Sequence, residues 1–333
     1  MVFDFLKRAP QTVVAEMKAS ATGRVVAFGS SGRVAWSPRD AVSLARSGFQ
    51  GNPIGFRAVK LIAEAAAALE ALPTHAWPAR LLCLSGLTQQ ALLCGELEVA
   101  QGLNRDALCL ARAQGALLFE GLLELDHAQI LEQRGAPHRA QNLLEGIQQL
   151  LARQAGSATP LLGRIALRRG RLALSLGQDD EAAEFFEAGL QECLRSHDKR
   201  VLYGYLGLAE VAANRSDFAQ AFVYLRDAER MMQRRQIPET VYRGVLLQVS
   251  SDFWLRQGRA ELALEALTRV LRHYHGPQAR QAPPATLELI PRLRYLRVLA
   301  EVQLQQASQP LEQLQEQLQE ARHSAMLGLE VEL

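Results

Sequence analysis

A glycine followed five residues later by an alanine recurs along the chain at nearly constant intervals, and that periodicity excludes most folds. The copies read CGELEVA (Gly95, Ala100), RGAPHRA (Gly135, Ala140), LGQDDEA (Gly177, Ala182) and QGRAELA (Gly258, Ala263), with Ser216 in the glycine position of RSDFAQA (Ala221). Successive alanines stand 39 to 42 residues apart. A period of this length marks stacked supersecondary units, each of which must bury a face against its neighbours. The glycine predicts a left-handed residue that closes one helix without steric cost. A short polar turn follows, and a second helix returns antiparallel to the first.

Further positions agree in the same frame. Seven residues before each turn stand Thr88, Ala128, Gly170, Ala209 and Ser251, all small, and four before it stand Ala91, Leu131, Ala173, Ala212 and Trp254. Four residues after each anchor alanine stand Asn104, Leu144, Phe186, Leu225 and Leu267, mostly large. Small residues on one helix facing large ones on the next are what interdigitated packing needs. Trp254 is expected in the core on this ground. A weaker sixth copy, VLAEVQLQQASQPLEQLQEQL, places Leu311 in the alanine position.

LGQDDEAAEFFEAGL carries the small residue, glycine turn, acidic-aromatic stretch and alanine of the tetratricopeptide repeat, which residues 71–333 resemble. The period is longer than is usual for that repeat, so its helices are expected to be extended by about a turn. Together with ALPTHAWPARLLCLSGLTQQALLCGELEVA and the Ala/Leu/Arg/Gln-rich GELEVAQGLNRDALCLARAQG, this is similar to the superhelical sensor region of the large ATP-dependent LuxR-type transcription activators, whose prototype is the maltose regulator. The resemblance implies an all-α, tetratricopeptide-like α-α superhelix of about six hairpins, preceded by a small N-terminal segment of irregular or mixed structure. It also implies a non-enzymatic module that takes a small-molecule inducer or a protein partner in a concave groove. Members also carry a nucleotide-binding domain before the superhelix and a helix-turn-helix domain after it. Here no G-x-x-x-x-G-K-[ST] stretch is present, and the sequence stops at LGLEVEL while still reading as helix. Neither ATP hydrolysis nor direct nucleic-acid binding is expected.

Charge supports a division near residue 70. Residues 1–70 hold nine Lys/Arg against five acids, and the remainder holds 28 against 30. A slightly acidic repeat region is poor material for neutralising a phosphate backbone. The longest apolar run, around Leu61 to Leu69, is broken by Glu64 and is too short to span a membrane. The start, MVFDFLKRAP, lacks the features of a secretory signal, and a cytoplasmic location is expected. Cys83, Cys94, Cys109 and Cys193 form no C-x-x-C pair and read as small buried residues.

Residues 1–70 lack the repeat. WSPRD (36–40), FQGNPIGFRAVKLIAEA (49–65) and the Ala-rich helix after it resemble the N-terminal segment of phage or gene-transfer-agent portal proteins. The resemblance implies a structural or assembly role as the alternative function. The junction near ALEALP (68–73) is open to three explanations: a natural fusion, a gene-model or assembly error, or a chimera.

Candidate chemistry is sparse. GSSG (29–32) and SGFQGNPIGF (47–56) read as loops, since neither carries a phosphate-binding signature. His273 and His275 are two apart, diverge on a helix and have no third metal ligand. Asp179, Asp180, Glu181 and Glu184 open a second helix, where acids complement the helix dipole. No catalytic residue, cofactor or metal is assigned. The groove residues expected from aromatic and guanidinium chemistry are Tyr203, Tyr205, Tyr242, Arg243, Arg292, Arg294 and Tyr295, all on first helices. Tyrosine rings suit sugar stacking. The competing reading is that the tyrosines fill gaps between repeats and the arginines solvate a helix face. Self-association is the remaining partner expectation.

Overall fold

The structure, a computed structural model, describes residues 56–93, 96–154, 160–234, 239–275 and 286–323. The portal-like residues through 55 lie outside it. Among the described residues every regular element is helical. In chain order they are α1 (Phe56–Leu69), α2 (Trp77–Leu93), α3 (Leu97–Ala113), α4 (Leu117–Gln133), α5 (Pro137–Gln154), α6 (Pro160–Ser175), α7 (Asp179–Arg195), α8 (Val201–Asn214), α9 (Phe218–Arg234), α10 (Glu239–Arg256), α11 (Ala260–His275), α12 (Thr286–Gln303) and α13 (Pro310–His323). Two 17-residue helices, α3 and α4, with three-residue turns at 114–116 and 134–136, account for a 40-residue period. The expected lengthening of the helices is present.

The turns form as the sequence requires. Gly135, Gly177 and Gly258 each have φ of 72°, and Ser216 has φ of 63°. At Gly177 the amide donates to the Leu174 carbonyl and the next amide, Gln178, reaches back to Ala173 at 2.9 Å. The same longer bond recurs as Ala136 to Leu131, Asp217 to Ala212 and Arg259 to Trp254. This is a Schellman closure, which satisfies carbonyls left over at a helix end. Gly115 and His197, with φ of 61° and 56°, close second helices in the same way, through Ala116 to Ala111 and Asp198 to Cys193. A left-handed side chain costs about 1–2 kcal/mol. Ser216→Gly is therefore expected to raise stability by about 1 kcal/mol in urea titrations, and an unchanged or lower midpoint would contradict that.

The described residues divide into two compact units, one through Ile130 and one from Leu131 onward. In the first, α1, α2, α3 and the start of α4 share one core containing Ile62, Leu69, Leu82, Leu87, Ala100, Ala107 and Leu123. Trp77 meets Phe119 edge to face at 5.8 Å. The helix Phe56–Leu69 is thus built into the first hairpin's core.

In the second unit, each hairpin packs on the next. Within their own units the five anchor alanines, Ala100 in the first and Ala140, Ala182, Ala221 and Ala263 in the second, are all fully buried, as are Thr88 and Ala128 in the first and Ala209 and Ser251 in the second. The predicted small-against-large contact is realised at Gly170, where a Cβ would lie 2.9 Å from the Phe186 ring. Gly207 of α8 presses on the same ring from the following hairpin. Three expectations need correction. Leu311 is 74% exposed and does not occupy a buried alanine position, because the last turn bends at Gln305 (φ 57°) and α13 starts at Pro310. Trp254 is half-buried against the last core, while its neighbour Phe253 is 1% exposed. Cys83 and Cys193 are buried as expected, but Cys109 is exposed.

Candidate functional site

The first helices of successive hairpins in the second unit lie side by side, α6 by α8, α8 by α10 and α10 by α12. A polar row runs along them. Six residues before Gly177, Ser216 and Gly258 stand Arg171, Glu210 and Asp252, and two before Ser216 and Gly258 stand Asn214 and Arg256. Positions four apart share a helix face, so both sets belong to one surface. Arg171 Nη1 donates to Glu210 Oε2 at 2.6 Å, bridging α6 and α8. Arg256 Nη1 donates to Asn214 Oδ1 at 3.1 Å, bridging α10 and α8, and its Nε pairs with Asp252 at 2.8 Å. Asn214 Nδ2 in turn donates to Asp179 Oδ1 at 3.1 Å, and Arg215 pairs with Asp180. Arg171 and Arg256 are 45% and 46% exposed, so these groups are reachable from solvent.

The residues singled out for the groove are distributed unevenly. Tyr203 is 38% exposed at the start of α8. Tyr205, two residues on, points to the opposite side and packs half-buried against the cores of two neighbouring hairpins. Arg292, Arg294 and Tyr295 are half-buried on α12, and each already interacts with other protein groups. Tyr242 and Arg243 lie on α10, but their side chains fall outside the described residues. Tyr203 and Tyr205, both among the described side chains, therefore face different surroundings. The row that the structure assembles, with Arg171, Glu210, Asn214, Asp252 and Arg256, was missing from the sequence reading. The signal was available: these residues stand at constant offsets from the turn, six or two residues before it, just as the packing positions stand at seven and four.

In the first unit the polar groups turn inward. Asp126, 5% exposed on α4, accepts from Ser85 Oγ at 2.6 Å and Gln89 Nε2 at 2.7 Å, both on α2. Gln89 also donates to Gln129 at 3.4 Å, a second bond between α2 and α4. Glu124 faces α3, where Arg112 donates to it at 2.6 Å and to Glu120 at 2.7 Å. The hydrogen bond that Arg112 donates to Glu120, reinforced by the Glu124 charge and opposed by partial burial, raises the Arg112 pKa. His127 Nδ1 lies 3.1 Å from the second Glu124 oxygen. Asn104 Nδ2 donates to the Leu123 carbonyl at 2.8 Å. These bonds cross-link three helices, and they satisfy carboxylates that would be costly to bury alone. Helix α4 consequently has polar groups on two sides and no single apolar stripe.

The remaining reactive groups are similarly occupied. Burial, and then the Asp198 carboxylate, push the Cys193 thiol up to about 12, which keeps it protonated at neutral pH and a poor nucleophile. The acids Asp179, Asp180 and Glu181 occupy the first turn of α7, as expected. Among the described residues no three His, Cys, Asp or Glu side chains are placed to hold a metal ion, and no helix is long and apolar enough to cross a membrane.

Comparison with known proteins bears on residues beyond the opening segment. Residues 56–329 match the family described as MalT-like TPR region. That match takes in α1, which the portal resemblance placed in a different segment, and nothing in the comparisons supports the portal resemblance. No curated protein matches the sequence. Among solved structures, the nearly identical TPR-like repeats of a Podosopora anserina protein of kinesin-light-chain type are 18% identical, with a TM-score of 0.42. They cover 60% of this chain and 94% of theirs. A Q17M form of the same repeats is also 18% identical with a TM-score of 0.42, over 58% of this chain and 91% of its own.

Proposed function

From the premise that this chain belongs to the MalT-like TPR region family, we propose that it is a non-enzymatic binding module in which the first-helix face of residues 131–333 receives a small-molecule inducer or a protein partner. The observation that carries this reading is the polar row Arg171, Glu210, Asn214, Asp252 and Arg256, held at two fixed offsets from the turns on adjacent helices, with the exposed Tyr203 two turns before Glu210 on the same face of α8. Binding groups fixed on packed helices cost little to order when a ligand arrives. An aromatic ring beside guanidinium and carboxylate groups suits a polyhydroxylated ligand or a mixed-charge peptide. In this reading the module senses a signal on behalf of a transcription activator and has no chemistry of its own.

Differential scanning fluorimetry of the full chain against mono- and oligosaccharides and common metabolites tests the proposal. A stabilising ligand is expected, and Tyr203→Ala and Arg171→Ala should each reduce its affinity by about tenfold, the loss of one good polar or stacking contact. A ligand whose affinity is indifferent to both substitutions would place binding elsewhere. A comprehensive absence of thermal shifts, with no partner domain recovered either, would count against a sensing role.

A further inference from the structure

Along the second helix of the next-to-last hairpin there is a cleft of about 300 Å³ lined by Glu261, Leu264, Glu265, Thr268 and Arg272 of α11 together with Leu304 and Gln306 of the α12–α13 turn. The α11 residues occur at i, i+3, i+4, i+7 and i+11, which is one stripe of a helix. Its floor is apolar, since Leu264 and Leu304 both pack against the underlying core. The turn forming the wall is fixed in place: Gln305 is left-handed at φ 57°, and the Gln306 amide closes on the Glu301 carbonyl at 2.9 Å.

The charges of the cleft are separated along its length. Glu265 is engaged by Arg269 at 2.6 Å in an exposed pair. Among the described residues neither Glu261 nor Arg272 has an ion-pair partner. Glu261 and Arg272 are eleven residues apart, about 16 Å along the helix axis at 1.5 Å per residue. An acidic end, an apolar middle and a basic end complement a ligand of opposite polarity. At about 3.3 Å per residue, four or five residues of extended peptide span the interval between the two side chains. The volume lies at the lower end of the range of about 300–1,000 Å³ for ligand clefts, enough to seat part of such a segment and leave its outer edge in water.

We infer that this cleft docks an extended peptide segment of a partner protein, with a basic group at Glu261, an apolar side chain over Leu264 and Leu304, and an acidic group at Arg272. The inference is independent of the first-helix reading, because it uses other helices and other residues. It also assigns a reason for the charge pattern of α11, whose stripe carries an acid at its N-terminal end and an arginine at its C-terminal end facing open space.

Isothermal titration of the full chain with three capped pentapeptides tests it: Lys-Ala-Leu-Ala-Glu, Lys-Ala-Leu-Ala-Lys and Glu-Ala-Leu-Ala-Glu. The mixed-charge peptide is expected to bind at least about tenfold more tightly than either single-sign peptide, the scale of one matched against one mismatched ion pair. Arg272→Glu should transfer the preference to the dibasic peptide, and Glu261→Lys should transfer it to the diacidic one. Both positions are exposed, so the variants should keep the parent's circular dichroism and melting temperature. Equal binding of all three peptides, no binding up to about 1 mM, or preferences unmoved by the two substitutions would overturn the assignment. Because neither variant touches Tyr203 or Arg171, failure here leaves the first-helix reading to its own experiment.

Discussion

Alanine at Gly207 is expected to destabilise the second unit, while the same substitution at Gly146 stabilises it. Both glycines lie within helices, where alanine is favoured by about 1 kcal/mol. They differ in what a methyl group would meet. Around Gly146 there is nothing within 4 Å, so the gain in propensity stands alone. At Gly207 the new Cβ would fall inside the Phe186 ring's contact distance, and that ring is 2% exposed and braced from behind by Gly170. Overpacking of this kind costs about 1–3 kcal/mol and occasionally more. We expect a net loss of about 1 kcal/mol, measured as a shift in urea midpoint and as faster amide exchange in α8. The trimming replacement Phe186→Leu should recover part of that loss in the Gly207→Ala background and cost stability on its own, giving a coupling that a double-mutant cycle reads directly. Equal midpoints for Gly207→Ala and Gly146→Ala would show that the hairpins are not held as tightly as described.

The second large effect is expected at Phe253. Its ring is 1% exposed and lies edge to face with Phe218 at 6.3 Å and Phe222 at 6.2 Å, tying α10 to α9. Phe253→Ala should cost about 3–5 kcal/mol, because the cavity between helices fixed at both ends collapses only partly. Trp254→Ala should cost less despite removing a larger side chain, because Trp254 is only half-buried. Chemical denaturation of the two variants decides the order. In a repeat stack the loss at Phe253 also weakens coupling between neighbours, so the unfolding transition should broaden as well as move. A Trp254 variant that is the less stable of the two would reverse the assignment of core and flank in this hairpin.

The periodic spacing of turn residues and alanines determined a great deal without coordinates. A left-handed closure is a local property of the backbone, and only glycine adopts it freely, so Gly135, Gly177 and Gly258 could be read directly, and Ser216 by its register. The buried anchor alanines and the Gly170–Phe186 contact followed from the same frame, because close helix approach leaves room for little else. The left-handed turns at Gly115 and His197 went unread, since the turns between hairpins lack a recurring glycine.

Three-dimensional packing decided the rest. Whether Phe253 or Trp254 fills the core, and whether Tyr205 faces a groove or fills the space between hairpins, depends on how each helix is rotated about its axis. A rotation of one residue, about 100°, exchanges buried for exposed positions. The buried carboxylates of Glu124 and Asp126 could not be anticipated, because their partners on α2 and α3 lie 12 to 41 residues away in sequence. The rows and clefts of the surface are of the same kind: the sequence by itself determined that pairs of helices repeat and where they turn, and only their mutual rotation decided which side chains meet.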